Sequence, residues 1–322
     1  MANIFLTPHC GRNCAFCFAK EGPWSDEYQA RELSLDEVEC ILETGDRSVC
    51  TECGFIGGEP LTYKNLSKVI RMCLDRGIRA KVFTSGSCVC PEGMDEFVGV
   101  ENLSFIVNVS PPHTYEETRM KNLDAFFKTF GGACTLSYTL SPSQPDGRYL
   151  VDYILKYGLS KHIRVGIAVP MIGGGNEHVA PTKFREAALA FIDLARYAAR
   201  FNISLGTDCG FVACMFTERE IGELQWLGAK LIFTCGPVMD IGPDYEVWHC
   251  FPLARIMRVK MEDNKMPIGA FKDAAQTLRE HFRAGVFERC SICDFRRKGI
   301  CMGGCLGHII PSVNEGISAL SG

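Results

Sequence analysis

The sequence lacks an export signal, a membrane-spanning apolar run and a large excess of one charge sign. Its first residues, MANIFLTPHC, contain no basic leader, and no apolar run reaches the length of about 18 residues that a membrane helix needs. Neither charge sign is in large excess, because 34 Lys and Arg residues stand against 38 Asp and Glu residues. The small net charge of −4 indicates neither nucleic acid nor an anionic membrane as a partner. We therefore expect a cytoplasmic protein with no nucleic-acid partner and no membrane association.

Cysteine is absent from residues 135–208 but abundant elsewhere, with 18 in a chain of 322 residues. Three cysteines lie between Cys10 and Cys17, and eight lie between Cys209 and Cys305. Disulfides are disfavoured in the cytosol, so clustered thiols in a chain without an export signal indicate metal binding.

The first 206 residues alternate short apolar runs with amphipathic helical patterns, which is typical of βα units and a parallel sheet. Six or seven such units suit a partial barrel better than an open doubly wound sheet. After about Asp208, Gly, Pro and cysteine pairs interrupt the pattern, and only two helices are predicted, Phe216–Leu227 and Phe271–Phe282. We therefore expect an α/β partial barrel over residues 1–207 and a small cysteine-rich domain over residues 208–322. The predicted strands are Asn3–Leu6, Gly54–Ile56, Ala80–Phe83, Leu103–Val109, Cys134–Leu140, Ile163–Val169 and Ile203–Leu205.

Three thiols, those of Cys10, Cys14 and Cys17, fall within eight residues directly after the first predicted strand. A loop of this kind can surround three corners of a cubane iron–sulfur cluster and leave one iron without a protein ligand. That iron is then a binding site. A zinc ion with His9 as the fourth ligand is the alternative, and the tight spacing after a strand favours the cluster.

The spacing C-x3-C-x2-C, with Phe16 before the last cysteine, resembles the signature of the radical S-adenosylmethionine (SAM) superfamily. Gly57-Gly58-Glu59-Pro60, at the end of the second predicted strand, resembles the GGE motif with which that superfamily binds the amino group of SAM. Glycines let the backbone approach a ligand, and a carboxylate pairs with an ammonium group. The resemblance implies a partial (β/α)6 barrel of the radical SAM type that binds a [4Fe–4S] cluster and SAM.

Three later strand ends also resemble cofactor-binding segments of this superfamily. Ser85 lies in the segment expected near the SAM carboxylate, and Ser110 lies in the motif that contacts the ribose. Val169 lies in a segment that could run alongside the adenine. An ordinary strand followed by a turn explains each of them as well. His113 and Asn176-Glu177 lie in loops where substrate is expected, but solvated loop residues have the same pattern, so no acid or base is assigned and the catalytic residues stay unknown.

The C-terminal cysteines resemble the SPASM or twitch-like extension of radical SAM enzymes. In that extension a short hairpin between two cysteines precedes a C-x2-C and C-x3-C pattern, and the thiolates hold auxiliary [4Fe–4S] clusters. Here fourteen residues lie between the hairpin cysteines, and the following gaps are two, seven and three residues. The cysteines that carry this resemblance are Cys235, Cys250, Cys290, Cys293, Cys301 and Cys305.

This segment departs from the family pattern in two places. The middle gap is commonly five residues rather than seven, and the cysteine that normally follows the C-x3-C is absent, so that only His308 could serve after Cys305. Cys209 and Cys214 lie upstream, however, and make eight thiols, enough for two clusters. The crossed pattern of the family implies that Cys235, Cys250, Cys305 and one upstream cysteine hold one cluster, and that Cys290, Cys293 and Cys301 hold the other. One auxiliary cluster with spare thiols, or a structural zinc on the Cys290 group, remains open.

The resemblance implies reductive cleavage of SAM to a 5′-deoxyadenosyl radical that abstracts hydrogen from a substrate C–H bond. Oxidative modification or crosslinking of a peptide is the first expectation. Sulfatase maturation is disfavoured, because the aspartate expected after the second hairpin cysteine is Phe251 here. A dehydrogenase or epimerase of a sugar, an aminoglycoside or a related metabolite is the alternative, and a non-catalytic iron–sulfur scaffold or electron carrier is the second.

Two kinds of protein partner are expected for such an enzyme. An electron donor such as flavodoxin or ferredoxin would reduce the cluster. The chain starts almost at its first predicted strand, so recognition of a peptide leader would need a separate leader-binding protein or the surface of the enzyme.

Overall fold

Ten strands form one continuous sheet in the described part of the chain. The structure is a computed structural model that describes residues 2–19, 31–44, 51–236, 238–261, 268–281 and 285–310. Seven parallel strands, β1 to β7, lie side by side in chain order, as expected for successive right-handed βα units. Their bounds are Ala2–Thr7, Glu52–Gly57, Arg79–Thr84, Leu103–Asn108, Cys134–Leu140, His162–Ile167 and Ser204–Thr207.

Helices connect these strands and cover one face of the sheet. The crossover from β3 to β4 is the exception among the first six, since it contains the 3-10 turn Met94–Phe97 instead of an α-helix. Helices α1 to α5 lie in the other crossovers, and α6 to α8 follow β7. Their bounds are Leu35–Thr44, Leu66–Asp75, Glu117–Phe130, Tyr149–Tyr157, Phe184–Ala199, Glu218–Trp226, Ile268–His281 and Asp294–Arg297.

The helices bury apolar residues at helical spacing, as α2 and α5 show. In α2 the buried residues recur at three- and four-residue spacing, which is the period of an amphipathic helix. In α5, Phe184, Ala188, Ile192 and Ala195 are buried, but Leu189 is 44% exposed. The buried face of α5 runs instead through Ala187 and Phe191, because Leu189 lies about 100° further around the helix than Ala188.

The two faces of the sheet have different environments. Along β5 and β6, buried residues alternate strictly with half-exposed ones, as the two-residue period of a strand requires. The buried set packs against the helices in the main core. The other set is polar and half-exposed, and includes Ser137, Thr139 and Arg164. At β5 and β6 the inner face of the partial barrel is therefore polar and accessible, whereas at β1 and β2 it is covered by an apolar cluster that contains Phe5, Ile56, Trp248 and Phe251.

Three further strands extend the sheet beyond β1, and the sequence did not predict them as strands. They are β8 (Met239–Ile241), β9 (Glu246–Trp248) and β10 (Arg258–Lys260). Strand β8 pairs in parallel with β1, and β9 pairs antiparallel with both β8 and β10. The hairpin formed by β8 and β9 lies between Cys235 and Cys250, where the SPASM resemblance implies one. The division into domains at residues 207 and 208 stays a prediction.

No helix within the described ranges combines the length and the apolar character needed to cross a membrane.

Candidate active site

A loop over residues 8–19 follows β1 and carries the first three cysteines. It runs beside the end of β2, where two backbone hydrogen bonds join the segments. The Gly58 N–H donates to the carbonyl of Thr7 over 2.7 Å, and the Glu59 N–H donates to the carbonyl of His9 over 2.8 Å. We call residues 8–19 the cluster loop.

Glycine is required at the end of β2 because the cluster loop comes so close. A Cβ atom on Gly58 would lie 2.5 Å from the carbonyl oxygens of both Pro8 and His9, and one on Gly57 would meet the carbonyl oxygen of Thr7. All of these are backbone atoms, which cannot rotate away as a side chain could. The Gly-Gly pair therefore permits the close approach of the cluster loop, and the approach of SAM to these glycines stays a prediction.

The Glu59 carboxylate, which is 2% exposed, fastens the ends of β2 and β3 together. Its Oε2 accepts hydrogen bonds from the N–H of Ser85 over 2.8 Å and from the Ser85 hydroxyl over 2.5 Å. Its Oε1 accepts from the N–H of Leu61 over 3.1 Å and from the Thr84 hydroxyl. These four bonds match the four lone-pair positions of a carboxylate. The pairing of Glu59 with the SAM ammonium stays a prediction, and the structure adds a role that the sequence did not suggest.

Arg12 joins the cluster loop to the end of β4. Its guanidinium donates to the carbonyl of Asn108 over 3.3 Å and to the hydroxyl of Ser110, and lies 4.9 Å from the centre of the Tyr115 ring. The Ser110 N–H in turn donates to the Tyr115 hydroxyl over 2.9 Å. The buried Ser110 is therefore fixed by a residue that stands between two of the predicted cluster ligands.

Asn176 holds the second half of the cluster loop against the end of β6. Its side-chain N–H group donates to the carbonyl of Phe16 over 3.3 Å and to that of Val169 over 3.0 Å. The neighbouring Glu177 N–H donates to the carbonyl of Ala15 over 2.9 Å. Asn176 thus brings together Phe16 and Val169, both predicted cofactor contacts. The sequence assigned Asn176 no role, because only the folded chain places it there.

The thiols of the cluster loop are accessible to a ligand. Cys10 is exposed, and Cys14 and Cys17 are half-buried. Partial desolvation raises the pKa of the Cys10 thiol, against the hydrogen bond from the Arg12 N–H, 3.4 Å from the sulfur, which lowers it. The chemistry of this donor set suits a [4Fe–4S] cluster with three protein ligands, and the backbone that lines it is held rigidly from three strand ends. The residues present therefore fit the cluster and SAM.

The structure also brings the C-terminal cysteines into two groups. Burial is the largest cause of the raised pKa of the Cys250 thiol, and the neighbouring thiols of Cys305, Cys235 and Cys209 raise this pKa further. We call these four residues the first thiol group. Cys209 is solvent-exposed by surface area although burial raises its pKa as well, as expected for a side chain at a concave surface.

The second thiol group contains the neighbours of Cys290. Burial raises the pKa of the Cys290 thiol, which also has Cys301 and Cys293 as neighbours. Cys214 has Cys290 and Cys301 as neighbours. The second thiol group is therefore Cys214, Cys290, Cys293 and Cys301.

Each thiol group contains four cysteines, a number that suits either a [4Fe–4S] cluster or a zinc ion. Zinc needs every sulfur at about 2.3 Å from one point, and within the described ranges no three His, Cys, Asp or Glu side chains are placed to ligate one metal ion. A [4Fe–4S] cluster distributes four thiolates over four irons, so its ligands stand further apart.

A family comparison covers the segment with the cluster loop and the ends of β2, β3 and β4. Residues 4–130 match the family described as the Radical SAM superfamily. These residues form a radical SAM domain. The match supports the predicted resemblance to the superfamily over these residues, and SAM and a [4Fe–4S] cluster are the cofactors that this family implies for them.

Two curated relatives share part of this radical SAM domain. The AdoMet-dependent heme synthase of Methanosarcina barkeri is 28% identical over 129 residues, which is 39% of this chain and 36% of that protein. The S-adenosylmethionine-dependent nucleotide dehydratase of Selenomonas ruminantium is 26% identical over 86 residues, 26% of this chain and 29% of that protein. The chain thus matches only about a third of the length of these relatives.

Solved structures match nearly the whole chain. Streptococcus suis SuiB bound to the precursor peptide SuiA superposes with a TM-score of 0.66 at 13% identity, over 95% of this chain and 71% of that one. Native anSMEcpe with bound AdoMet superposes with a TM-score of 0.59 at 17% identity, over 95% and 89% of the two chains. At such identities the likeness shows the fold, and it confirms the predicted α/β partial barrel of the radical SAM type.

Arg12 offers a specific test of how the radical SAM domain holds its cofactor. In Arg12→Gln the cluster loop loses its charge-assisted hydrogen bonds to the end of β4, each worth about 1.5–3 kcal/mol when buried. We expect SAM affinity to fall by about 10- to 100-fold, measured by calorimetry on the reconstituted protein. Lys121→Gln, an exposed cation on α3, is the control and should bind SAM like the parent. Equal affinity in both variants would contradict this role of Arg12.

Proposed function

We propose that this chain is a radical SAM enzyme that reductively cleaves SAM and abstracts hydrogen from a C–H bond of a peptide, which is thereby oxidatively modified or crosslinked. The observation that carries the proposal is the cluster loop, whose three accessible thiols are fixed against the Gly57-Gly58-Glu59 strand end by backbone hydrogen bonds. When bound, the cluster and SAM supply a 5′-deoxyadenosyl radical.

The residues of the chain position these groups and shape the space next to them. Cys10, Cys14 and Cys17 would hold the cluster, and the strand ends with Glu59, Pro60 and Ser85 would line the methionine part of SAM. Ser110, Phe16 and Val169 would contact its ribose and adenine. Because Arg12 and Asn176 fasten both halves of the cluster loop, the cofactor would be oriented by rigid backbone, which is what a short-lived radical demands of its site.

The two thiol groups support auxiliary [4Fe–4S] clusters. Each group contains four cysteines, and the hydrogen bonds from the Gly303 N–H to the Cys301 sulfur over 3.3 Å and from the Gly307 N–H to the Cys305 sulfur over 3.4 Å suit thiolate ligands. We therefore propose a SPASM-type domain with two auxiliary clusters. In that arrangement Cys209 completes the first thiol group, and Cys214 completes the second in place of the missing final cysteine.

A peptide is the favoured substrate for two reasons. The solved structures that share the fold include SuiB with its precursor peptide and anSMEcpe with bound AdoMet and the Cp18Cys peptide. In addition, the inner face of the sheet offers polar groups to an extended chain, among them Asn108 and Thr139, which are joined over 3.1 Å, and the ion pair of Arg164 and Asp208 over 2.8 Å. A peptide backbone carries the N–H and C=O groups that such a surface can satisfy.

Action on a small molecule is the alternative, because the curated relatives are named as a heme synthase and a nucleotide dehydratase. For either substrate we propose a cytoplasmic enzyme that is reduced by a flavodoxin or ferredoxin. A separate leader-binding protein would assist if the substrate is a peptide.

Anaerobic turnover of the reconstituted protein tests the proposal. The reduced protein should convert SAM to 5′-deoxyadenosine, which a non-catalytic scaffold or electron carrier would not do. A candidate precursor peptide should then lose hydrogen, as read by mass spectrometry, and deuterium at its reacting carbon should enter the 5′-deoxyadenosine. Transfer of deuterium from a sugar or nucleotide but from no peptide would favour the small-molecule alternative.

A further inference from the structure

Several buried nitrogen atoms near the first thiol group have no hydrogen-bond partner. Within the described ranges they include Nη2 of Arg279, both ring nitrogens of His249 and Nε2 of His308. Arg279 is only 7% exposed and His249 only 1%. A buried donor without a partner costs about 1–3 kcal/mol, and more when it is charged. Three such side chains in one region therefore indicate that a group that accepts hydrogen bonds belongs among them.

Arg279 is held in place from one side of its guanidinium only. Its Nη1 donates to the carbonyl of Met302 over 2.7 Å and to that of Gly304 over 2.9 Å. These two carbonyls belong to the turn that ends at Cys305. The other terminal nitrogen, Nη2, makes no bond although it is buried. The planar guanidinium of Arg279 is thus held in place through Nη1, and Nη2 is left able to donate to a bound group.

The surroundings of Arg279 belong to the first thiol group. One helical turn earlier, Ala275 packs with Leu306 and Leu253 in a small apolar cluster against which Cys250 lies. The Cys235 N–H donates to the sulfur of Met302 over 3.3 Å, the residue whose carbonyl Arg279 binds. Gly304, whose carbonyl accepts the other hydrogen bond from Arg279, directly precedes Cys305. Three of the four thiols therefore share neighbours with this guanidinium.

We propose that Arg279 is a positioning residue for an auxiliary cluster on the first thiol group. Its Nη2 donates a hydrogen bond to the sulfur atoms of that cluster, and its positive charge favours reduction of the cluster. This inference rests on the auxiliary clusters of the proposed function and adds the residue that tunes one of them. Hydrogen bonds to the sulfurs and the net charge nearby set the reduction potential of such clusters. A buried cation stabilises the added electron because the surrounding protein screens it less than water would.

The proposal implies that clusters on the two thiol groups differ in how readily they are reduced. A cluster on the first thiol group should accept an electron more readily than the same cluster would without Arg279. Arg279 also binds the carbonyl of Met302, next to Cys301, but the guanidinium groups beside Cys214 and Cys290 in the second thiol group are less buried: Arg289 is exposed and Arg296 is half-buried. The cluster on the first thiol group is therefore the one suited to receive an electron from the oxidised substrate.

The test uses full-length protein in which Cys10, Cys14 and Cys17 are alanine, so that only auxiliary clusters contribute signals. In this parent, Arg279→Met removes the charge and the donor, and Arg279→Lys keeps the charge. After reconstitution, iron and sulfide are counted and the clusters are titrated potentiometrically with detection by electron paramagnetic resonance (EPR). Arg71→Met, an exposed arginine on α2 paired with Glu96, is the matched control.

We expect Arg279→Met to retain its iron while one cluster becomes about tenfold harder to reduce, a shift of about 59 mV for one electron. Arg279→Lys should shift it less, Arg71→Met should not, and the shifted signal should be the one that Cys250→Ser removes. A loss of iron in Arg279→Met that does not occur in Arg279→Lys would also support the role, because only the lysine variant keeps the positive charge. An unchanged potential with full iron content, or iron lost equally in both Arg279 variants, would overturn it.

The same experiment distinguishes failure of the proposed auxiliary clusters from failure of the role of Arg279. If the parent itself reconstitutes without iron, the auxiliary clusters do not exist and the inference falls with them. If the parent holds about eight irons, as two clusters require, and Arg279 has no effect, only the inference is wrong.

Discussion

Cys14→Ala should reduce the formation of 5′-deoxyadenosine to the level of a blank without enzyme. Cys14 lies in the middle of the cluster loop, and its carbonyl accepts the N–H of Cys17 over 3.1 Å in the turn that sets the spacing of the last two thiols. Two thiolates cannot retain a cubane that needs three protein ligands. The measurement is 5′-deoxyadenosine by chromatography after anaerobic reduction, together with iron content, which should fall by about four per chain.

Cys40→Ala is the matched control for this prediction. Cys40 is a half-buried cysteine of α1 that the sequence places in no metal site. This variant should retain both its iron and its product formation. If Cys14→Ala kept the full rate, the cluster on this loop would not be the source of the radical. If Cys40→Ala lost iron as well, the loss would reflect misfolding.

Gly58→Ala should abolish most turnover without removing any polar group. The added methyl carbon would lie 2.5 Å from the carbonyl oxygens of Pro8 and His9, so the cluster loop must move away from the end of β2. Displacing a reacting group by about 1 Å can cost about 100-fold in rate, and overpacking adds about 1–3 kcal/mol of destabilisation. We expect the rate of 5′-deoxyadenosine formation to fall by about 100-fold or more.

Gly132→Ala controls for the loss of a glycine as such. A Cβ atom on Gly132 would meet no atom within 4 Å, so this variant should react at the parental rate. Circular dichroism should show both variants folded. A Gly58→Ala protein with normal turnover would mean that the close approach of the cluster loop to β2 is not needed for catalysis.

The parallel half of the fold was predictable from the sequence because each strand is a buried apolar run followed by an amphipathic helix or a turn. The strand Cys134–Leu140 is predicted with its observed bounds, and the other six strands of this half differ by one or two residues at their ends. The strands β8 to β10 were not predictable in this way. They have three residues each, too few to show a period, and β8 is stabilised by pairing with β1, more than 230 residues earlier in the chain.

The candidate site was predictable where its residues adjoin in sequence, and not where the fold joins distant ones. Cysteine spacing and the Gly-Gly-Glu run are local signals, so the cluster loop and its partner strand were found. Arg12 reaches a residue 96 positions away, and Asn176 reaches one 160 positions away. Arg279 is visible only through its buried, half-satisfied guanidinium. No spacing rule identifies such residues, because each is selected by the tertiary contact that it makes.

The most direct test of a SAM-binding open iron is EPR spectroscopy of the reduced protein with SAM that carries ¹⁷O in its carboxylate. If SAM binds the iron that Cys10, Cys14 and Cys17 leave free, the signal of the reduced cluster should broaden with labelled SAM relative to unlabelled SAM. An unchanged signal at saturating SAM, or a metal centre that proves to be zinc, would contradict the account.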